Sequence, residues 1–166
     1  TLFQAYGTLK SFLTGPCKRN QLAMAMETEM VLITNRILRE LYKESKKLYE
    51  GLTDRSGHRI HIMSKKKETQ DEIDTVANYS RLGKEVVETL LSMIEGRTDS
   101  IVHNRLLAVV QRRNLRDRLD VLKSKITSKF FCSVSTRALT EEGVEIMNLL
   151  RTLSERDKRL YKEIME

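Results

Sequence analysis

Pro16 is the single proline in a chain of 166 residues, and that scarcity constrains the fold more than any other feature. Proline lacks the N–H that a helix interior needs and locks φ, so a chain with only one is free to run as helix almost everywhere else. Its position is equally telling. Gly15-Pro16 stands between two runs of helical apolar spacing, one through Leu9 and Leu13 and one from Leu22 onward. Gly15 reaches backbone angles closed to other residues, so the pair ends one helix and starts the next. The expected result is a corner between packed helices.

The helical period persists down the chain. Leu22, Met26, Met30, Ile33, Ile37, Leu41 and Leu48 fall on one stripe, which predicts a helix of about eight turns with Gly51 as its C-terminal stop. Residues 52–70 lose the period and carry Gly57, scattered charge and Lys65-Lys66-Lys67, which predicts a flexible surface loop. The alternative to a mobile loop is one brief apolar contact through Ile60, Ile62 and Met63. A second helix is expected from Asp71 to Gly96, with Ile73, Val76, Gly83, Val87, Leu90 and Ile94 on one face and Asp71, Glu72 and Asp74 at the positive end of its dipole. A third starts at Thr98 or Asp99 and runs to the Arg112-Arg113-Asn114 break, and a fourth carries Leu115, Leu119, Leu122, Ile126 and Phe130. The last starts at Thr140 and passes Met147, Leu150 and Leu153 to Ile164, with its stripe interrupted at Asp157. No segment alternates with period two for long enough to make a strand. The chain is all-α, and short capped segments with broad stripes favour antiparallel helix pairs, an armadillo- or HEAT-like α-solenoid or a helical bundle, over one long coiled coil. Residues 1–166 are expected to form a single helical domain excised from a longer protein, with 133–166 as a C-terminal helical extension.

Apolar residues make up 40% of the chain, enough for a core. No run approaches the roughly 20 apolar residues of a membrane span, and no leader pattern opens the chain, so a soluble piece is expected. Cys17 and Cys132 make no disulfide framework, which favours a reducing, cytosolic setting. Lys and Arg outnumber Asp and Glu by seven, for a pI near 9.5, so an anionic partner is admitted: nucleic acid, a membrane surface or an acidic protein face. The basic clusters, Lys65-Lys66-Lys67 and Arg112-Arg113 with Arg116 and Arg118, read as solvated faces. Aromatic residues are only 5% with no Trp, so stacking platforms for nucleic acid are scarce and that partner is disfavoured.

Catalytic and metal motifs are missing. There is no Gly-rich phosphate loop, nucleophile elbow, His-Glu-x-x-His or EF-hand pattern, so neither an enzyme nor a cofactor is expected. His58 and His61 lack a third donor nearby and read as solvated loop histidines. Met24, Met26 and Met30 read as core filling rather than an adaptable groove.

Two blocks carry a resemblance. Gly15-Pro16-Cys17-x-x-Asn20-Gln21, preceded by the Leu9 to Leu13 helix, resembles the signature of the RIH-associated domain of inositol trisphosphate and ryanodine receptors. Leu90-Leu91-Ser92-Met93-Ile94-Glu95-Gly96-Arg97, with Asp99-Ser100, resembles a segment that follows in the same order in these channels. A long helix, a variable loop and another helix lie between the blocks in the family too, so the resemblance spans roughly residues 1 to 130. It implies a helical solenoid on the cytosolic face of the endoplasmic reticulum or a related calcium-store membrane. There it would sit within a tetrameric calcium release channel, with other domains of that channel as its partners. The implied role is mechanical, passing ligand-driven motion toward the gate without catalysis or cofactor.

The resemblance also sets expectations for single residues. Gly15 to Cys17 should be buried at an inter-helix corner, with Cys17 as a small buried thiol, and a solvent-exposed corner counts against the family. Asn20 and Gln21 should hydrogen-bond backbone at the corner or at the start of the next helix. The family's activating calcium site takes a Glu four residues before the signature glycine, where this chain has Ser11. A hydroxyl replaces a carboxylate poorly for Ca²⁺, so this form of calcium sensing is expected to be lost and calorimetry should find negligible Ca²⁺ binding. Glu95 matches the Glu of the second block, as a structural salt bridge or as a helix-end surface carboxylate. A different class of function remains open: a free-standing basic helical module that binds nucleic acid or an anionic surface and lets go steeply as salt rises.

Overall fold

A computed structural model of the chain describes residues 1–15, 17–54, 65–127 and 133–155. The described residues form seven α-helices and no strand. Helix α1 (Leu2–Leu13) opens on a capping box in which Thr1 accepts the Gln4 N–H and the Gln4 side chain returns to Thr1. Helix α2 (Lys18–Leu22) continues into a π-helical turn, Ala23–Glu27. The eight-turn helix expected from Leu22 is therefore broken. Thr28 sits extended at φ −122°, its hydroxyl donates to the Met24 carbonyl and accepts the Met30 N–H, and α3 (Met30–Asp54) starts afresh. A Thr hydroxyl offers the backbone a local partner that competes with the helix ladder.

The expected loop at 52–70 is shortened from both sides. Helix α3 runs past Gly51 to Asp54, and α4 (Lys65–Ile94) begins at the lysine run. Lys, Glu and Gln are good helix formers, and no turn residue interrupts them after Ser64. Residues 55–64, with His58, His61, Ile60, Ile62 and Met63, lie outside the described residues, as do Pro16, Phe130 and Cys132. Helix α5 (Ile101–Val109) follows Asp99, whose carboxylate accepts the Ile101 N–H. Helix α6 (Arg112–Ile126) includes the expected Arg112-Arg113-Asn114 break as its first turn, and the bend falls at Val110-Gln111 instead. Helix α7 (Ser133–Ser154) starts well before Thr140, through Ser135, which is buried despite weak helix propensity. Residues 156–166 lie outside the described residues.

Helix α4 is the hub. It packs along α7, α1 and α3, and none of its residues from Leu82 to Ile94 is exposed. One continuous core joins Tyr6 and Leu13 of α1, Leu38 of α3, Val86, Leu90 and Met93 of α4, Leu106 of α5, Leu115 and Leu122 of α6, and Leu139, Ile146, Leu149 and Leu153 of α7. Each fully buried Leu or Ile contributes about 1.5–3 kcal/mol from burial alone. Helix α7, within the expected C-terminal extension 133–166, contributes Leu139, Ile146, Leu149 and Leu153 to this core. Met24 and Met30 pack half-buried against this core, whereas Met26 is exposed, since the π-helical turn rotates it off the stripe.

Candidate functional site

The two sequence blocks meet in space. Helix α1 and helix α4 both end on a glycine with positive φ, Gly15 at +89° and Gly96 at +66°, so both chains turn away from their helices in the same region. Such ends leave carbonyls without intrahelical partners. The Gln21 amide, fully buried, supplies them: the two protons of its Nε2 are shared among Ser92 O at 2.8 Å, Leu13 O at 3.1 Å and Glu95 O at 3.1 Å. One side chain therefore closes the C-termini of two helices and ties them together. Asn20 Nδ2 donates to Phe12 O at 3.3 Å from the exposed side. From the other block, Arg97 Nη1 donates to Lys18 O at 2.7 Å and Nη2 pairs with Asp99 at 2.7 Å. That guanidinium holds the Asp99 carboxyl below the usual carboxylate range.

Burial at the corner departs from expectation. Gly15 is exposed and Cys17 is only half-buried. The buried groups are those bracketing the turn, Leu13 and Gln21, because they face α4 while the turn itself points outward. Leu90 is core and Leu91 is half-buried, while Glu95 and Gly96 are exposed. Glu95 makes no ion pair among the described residues; its backbone carbonyl is what the fold uses. Ser11 is exposed and donates to Gly7 O at 3.0 Å within its own helix.

Beside this clamp, α1, α4 and α7 enclose an open groove of about 630 Å³, with Lys10, Thr14, Glu88, Glu95 and Glu145 on its walls. Lys10 reaches Glu85 at 2.8 Å and Glu88 at 2.6 Å. Partial burial pushes its ammonium down, but the bonds to Glu85 and Glu88 outweigh that and hold it above the ordinary lysine value. No three His, Cys, Asp or Glu side chains converge as metal ligands among the described residues.

A second polar node lies deeper, where basic residues were expected on a solvated face. Arg118 is buried, with its side chain 1% exposed. Its Nε donates to Glu142 Oε1 at 3.0 Å and its Nη2 to Oε2 at 2.8 Å, against a carboxylate that is 0% exposed. Ser45 accepts from Nη1 at 2.7 Å and Ser80 from Nη2 at 3.3 Å, and the group lies 5.0 Å over the Tyr42 ring. Burial, and then the Glu142 charge, push the Tyr42 hydroxyl well above the tyrosine range, with Arg118 opposing. Gly83 completes the fit, since a Cβ there would stand 2.6 Å from Glu142 Oε1. Helices α3, α4, α6 and α7 are joined by one bidentate pair whose separation would strand charge in a dry interior.

Sequence reasoning missed Ser45, Ser80, the role of Glu142 and the burial of Arg118, and had Arg97 only as a member of the second block. The signal was present for the pair. Arg118 stands between Leu115 and Leu122, and Glu142 between Leu139 and Ile146, both at core positions of apolar stripes. No protein-family model matches the chain, and no curated protein or solved structure does either.

Proposed function

We propose that this chain is a non-enzymatic coupling element, a rigid helical body of an intracellular ligand-gated calcium release channel that passes conformational change toward the pore. The observation that carries it is the Gln21 clamp. Blocks that resemble this channel family lie more than seventy residues apart, and one buried amide binds both. Transmission of motion requires packed elements that move as a unit, and a side chain closing two helix ends supplies that. The Arg118–Glu142 pair supports the same role by locking four more helix faces together. The exposed Gly15 weighs the other way, because the family resemblance implies a buried corner. In this proposal the partners are neighbouring domains of the same tetrameric channel at the cytosolic face of a calcium-store membrane.

The gene itself provides the first test. Sequence downstream of this segment should encode a group of membrane helices with a selectivity filter, and a reading frame that closes without them refutes the proposal. In the complete protein, Gln21→Leu should lower ligand-evoked calcium release while store content and ligand binding stay unchanged. Unchanged release in that variant also refutes it. A steep, salt-dependent affinity of the chain for generic RNA would replace it with a nucleic-acid-binding role.

A further inference from the structure

Helices α1, α4 and α7 finish at one end of the molecule. Lys84 of α4 meets Glu141 of α7 at 3.0 Å, and the groove that both helices line lies beyond that contact on each, from Glu88 to Gly96 and from Glu145 to Thr152. The two helices therefore run parallel. Gln21 ties the last turn of α1 to the last turn of α4. Three negative dipole ends thus gather around Thr14, Gly96 and Ser154.

The groove of about 630 Å³ opens at this end. Leu91 and Ile94 give it an apolar wall, and three carboxylates, Glu88, Glu95 and Glu145, line it against the single cation Lys10. That cation is already held by Glu85 and Glu88. Glu95 stands at the C-terminal end of α4, where the dipole disfavours a carboxylate, and Glu145 accepts a bond of 3.4 Å from Asn148. Neither makes an ion pair among the described residues. In a chain with a formal charge of +7, this concavity is short of cations.

The chain that follows α7 carries them. Thr152 is on the groove wall, and α7 ends two residues later at Ser154. Residues 156–166, outside the described residues, begin Arg156-Asp157-Lys158-Arg159-Leu160-Tyr161-Lys162, with cations at all but three of these positions. From Thr152 back to Glu145 is about 10 Å along α7. Eleven residues span roughly 35 Å when extended, so a reversal of about four residues leaves enough chain to cover the groove even as helix.

We propose that residues 156–166 fold back along α7 into this groove, with Lys158, Arg159 and Lys162 against Glu95 and Glu145 and with Leu160 and Tyr161 over Leu91. The contact matches cationic side chains to unpaired carboxylates and to the negative ends of three helices, and it covers an apolar wall. It is independent of the channel assignment.

Zero-length carbodiimide crosslinking of the 166-residue chain, with peptide mass spectrometry of the monomer fraction, tests it. Amide links from Lys158 or Lys162 to Glu95 or Glu145 should dominate those that the segment makes. Trypsin should release residues 160–166 about fivefold faster from the Glu95→Gln/Glu145→Gln variant, the effect of losing two partly exposed ion pairs, with the helical circular dichroism unchanged. Glu40→Gln/Glu44→Gln, which removes two carboxylates from α3, should change that rate less than twofold. Segment links made only to other carboxylates, or none at all, overturn the proposal, as does an unchanged rate in Glu95→Gln/Glu145→Gln or an equal acceleration by the α3 variant. Links found only between two chains overturn it too, assigning the groove to a contact between copies.

Discussion

Removing one partner of the buried Arg118–Glu142 pair should be strongly destabilising. In Arg118→Met the Glu142 carboxylate, 0% exposed, keeps its charge and loses both guanidinium bonds, and Ser45 and Ser80 lose their donor. Breaking a buried pair from one side costs about 3–5 kcal/mol, a large fraction of the 5–15 kcal/mol total typical of a domain. At about 2–4 °C per kcal/mol for a chain of this size, the melting temperature should fall by roughly 6–20 °C. Glu142→Leu should cost less, since Arg118 retains Ser45, Ser80 and the Tyr42 ring. The double variant removes both charges and should recover to within about 1 kcal/mol of the parent, or exceed it. Urea unfolding followed by far-ultraviolet circular dichroism measures all four corners of the cycle, with a coupling energy of about 3 kcal/mol expected between residues in direct contact. Added salt should leave that coupling intact, because a buried pair is screened little. A loss below about 1 kcal/mol in Arg118→Met, or a coupling abolished by salt, would refute a dry bidentate pair.

Other consequences are as specific. Gln21→Leu should cost about 1–3 kcal/mol by orphaning carbonyls of α1 and α4, and Gln21→Glu should cost more, because a carboxylate would face three carbonyl oxygens; denaturant midpoints of the two variants decide the order. Gly83→Ala should destabilise by about 1–3 kcal/mol although Ala is the better helix former by about 1 kcal/mol, since the new Cβ meets a carboxylate that Arg118 holds in place; a stabilised variant in a thermal melt would show that Glu142 can yield. Lys10 is held above its ordinary value of 10.5, so its contribution is complete below that pH and is lost as pH rises through the raised folded value. Lys10→Met should therefore be less stable than the parent by up to about 1 kcal/mol at neutral pH, with the gap closing in strong alkali when both proteins are titrated with urea.

Much of the fold was legible because helix formation is local. The apolar stripes located α5, α6 and the C-terminal part of α4, and Gly96 marked the end of α4 as its side-chain-free αL conformation requires. The failures fall where a boundary depends on something distant or on a competing local bond. Thr28 broke a periodic stripe through hydroxyl bonds that the stripe does not encode. Ser133 to Thr136 joined α7 although their propensity is weak, with Ser135 buried. Of the candidate site, Gln21 and the Leu90 to Gly96 block were singled out, yet nothing in their spacing says that one amide would bridge Leu13, Ser92 and Glu95.

By itself the sequence determined that the chain is helical and where α1, α4 and α5 end. Those are properties of residues within a few turns of one another, set by propensity, capping and period. Only the tertiary structure decided which polar side chains would be core. Arg118 and Glu142 interrupt separate stripes, and each alone reads as a charge that belongs in water. Helices α6 and α7 bring them to 2.8 Å, and burial is tolerable for each because the other is there.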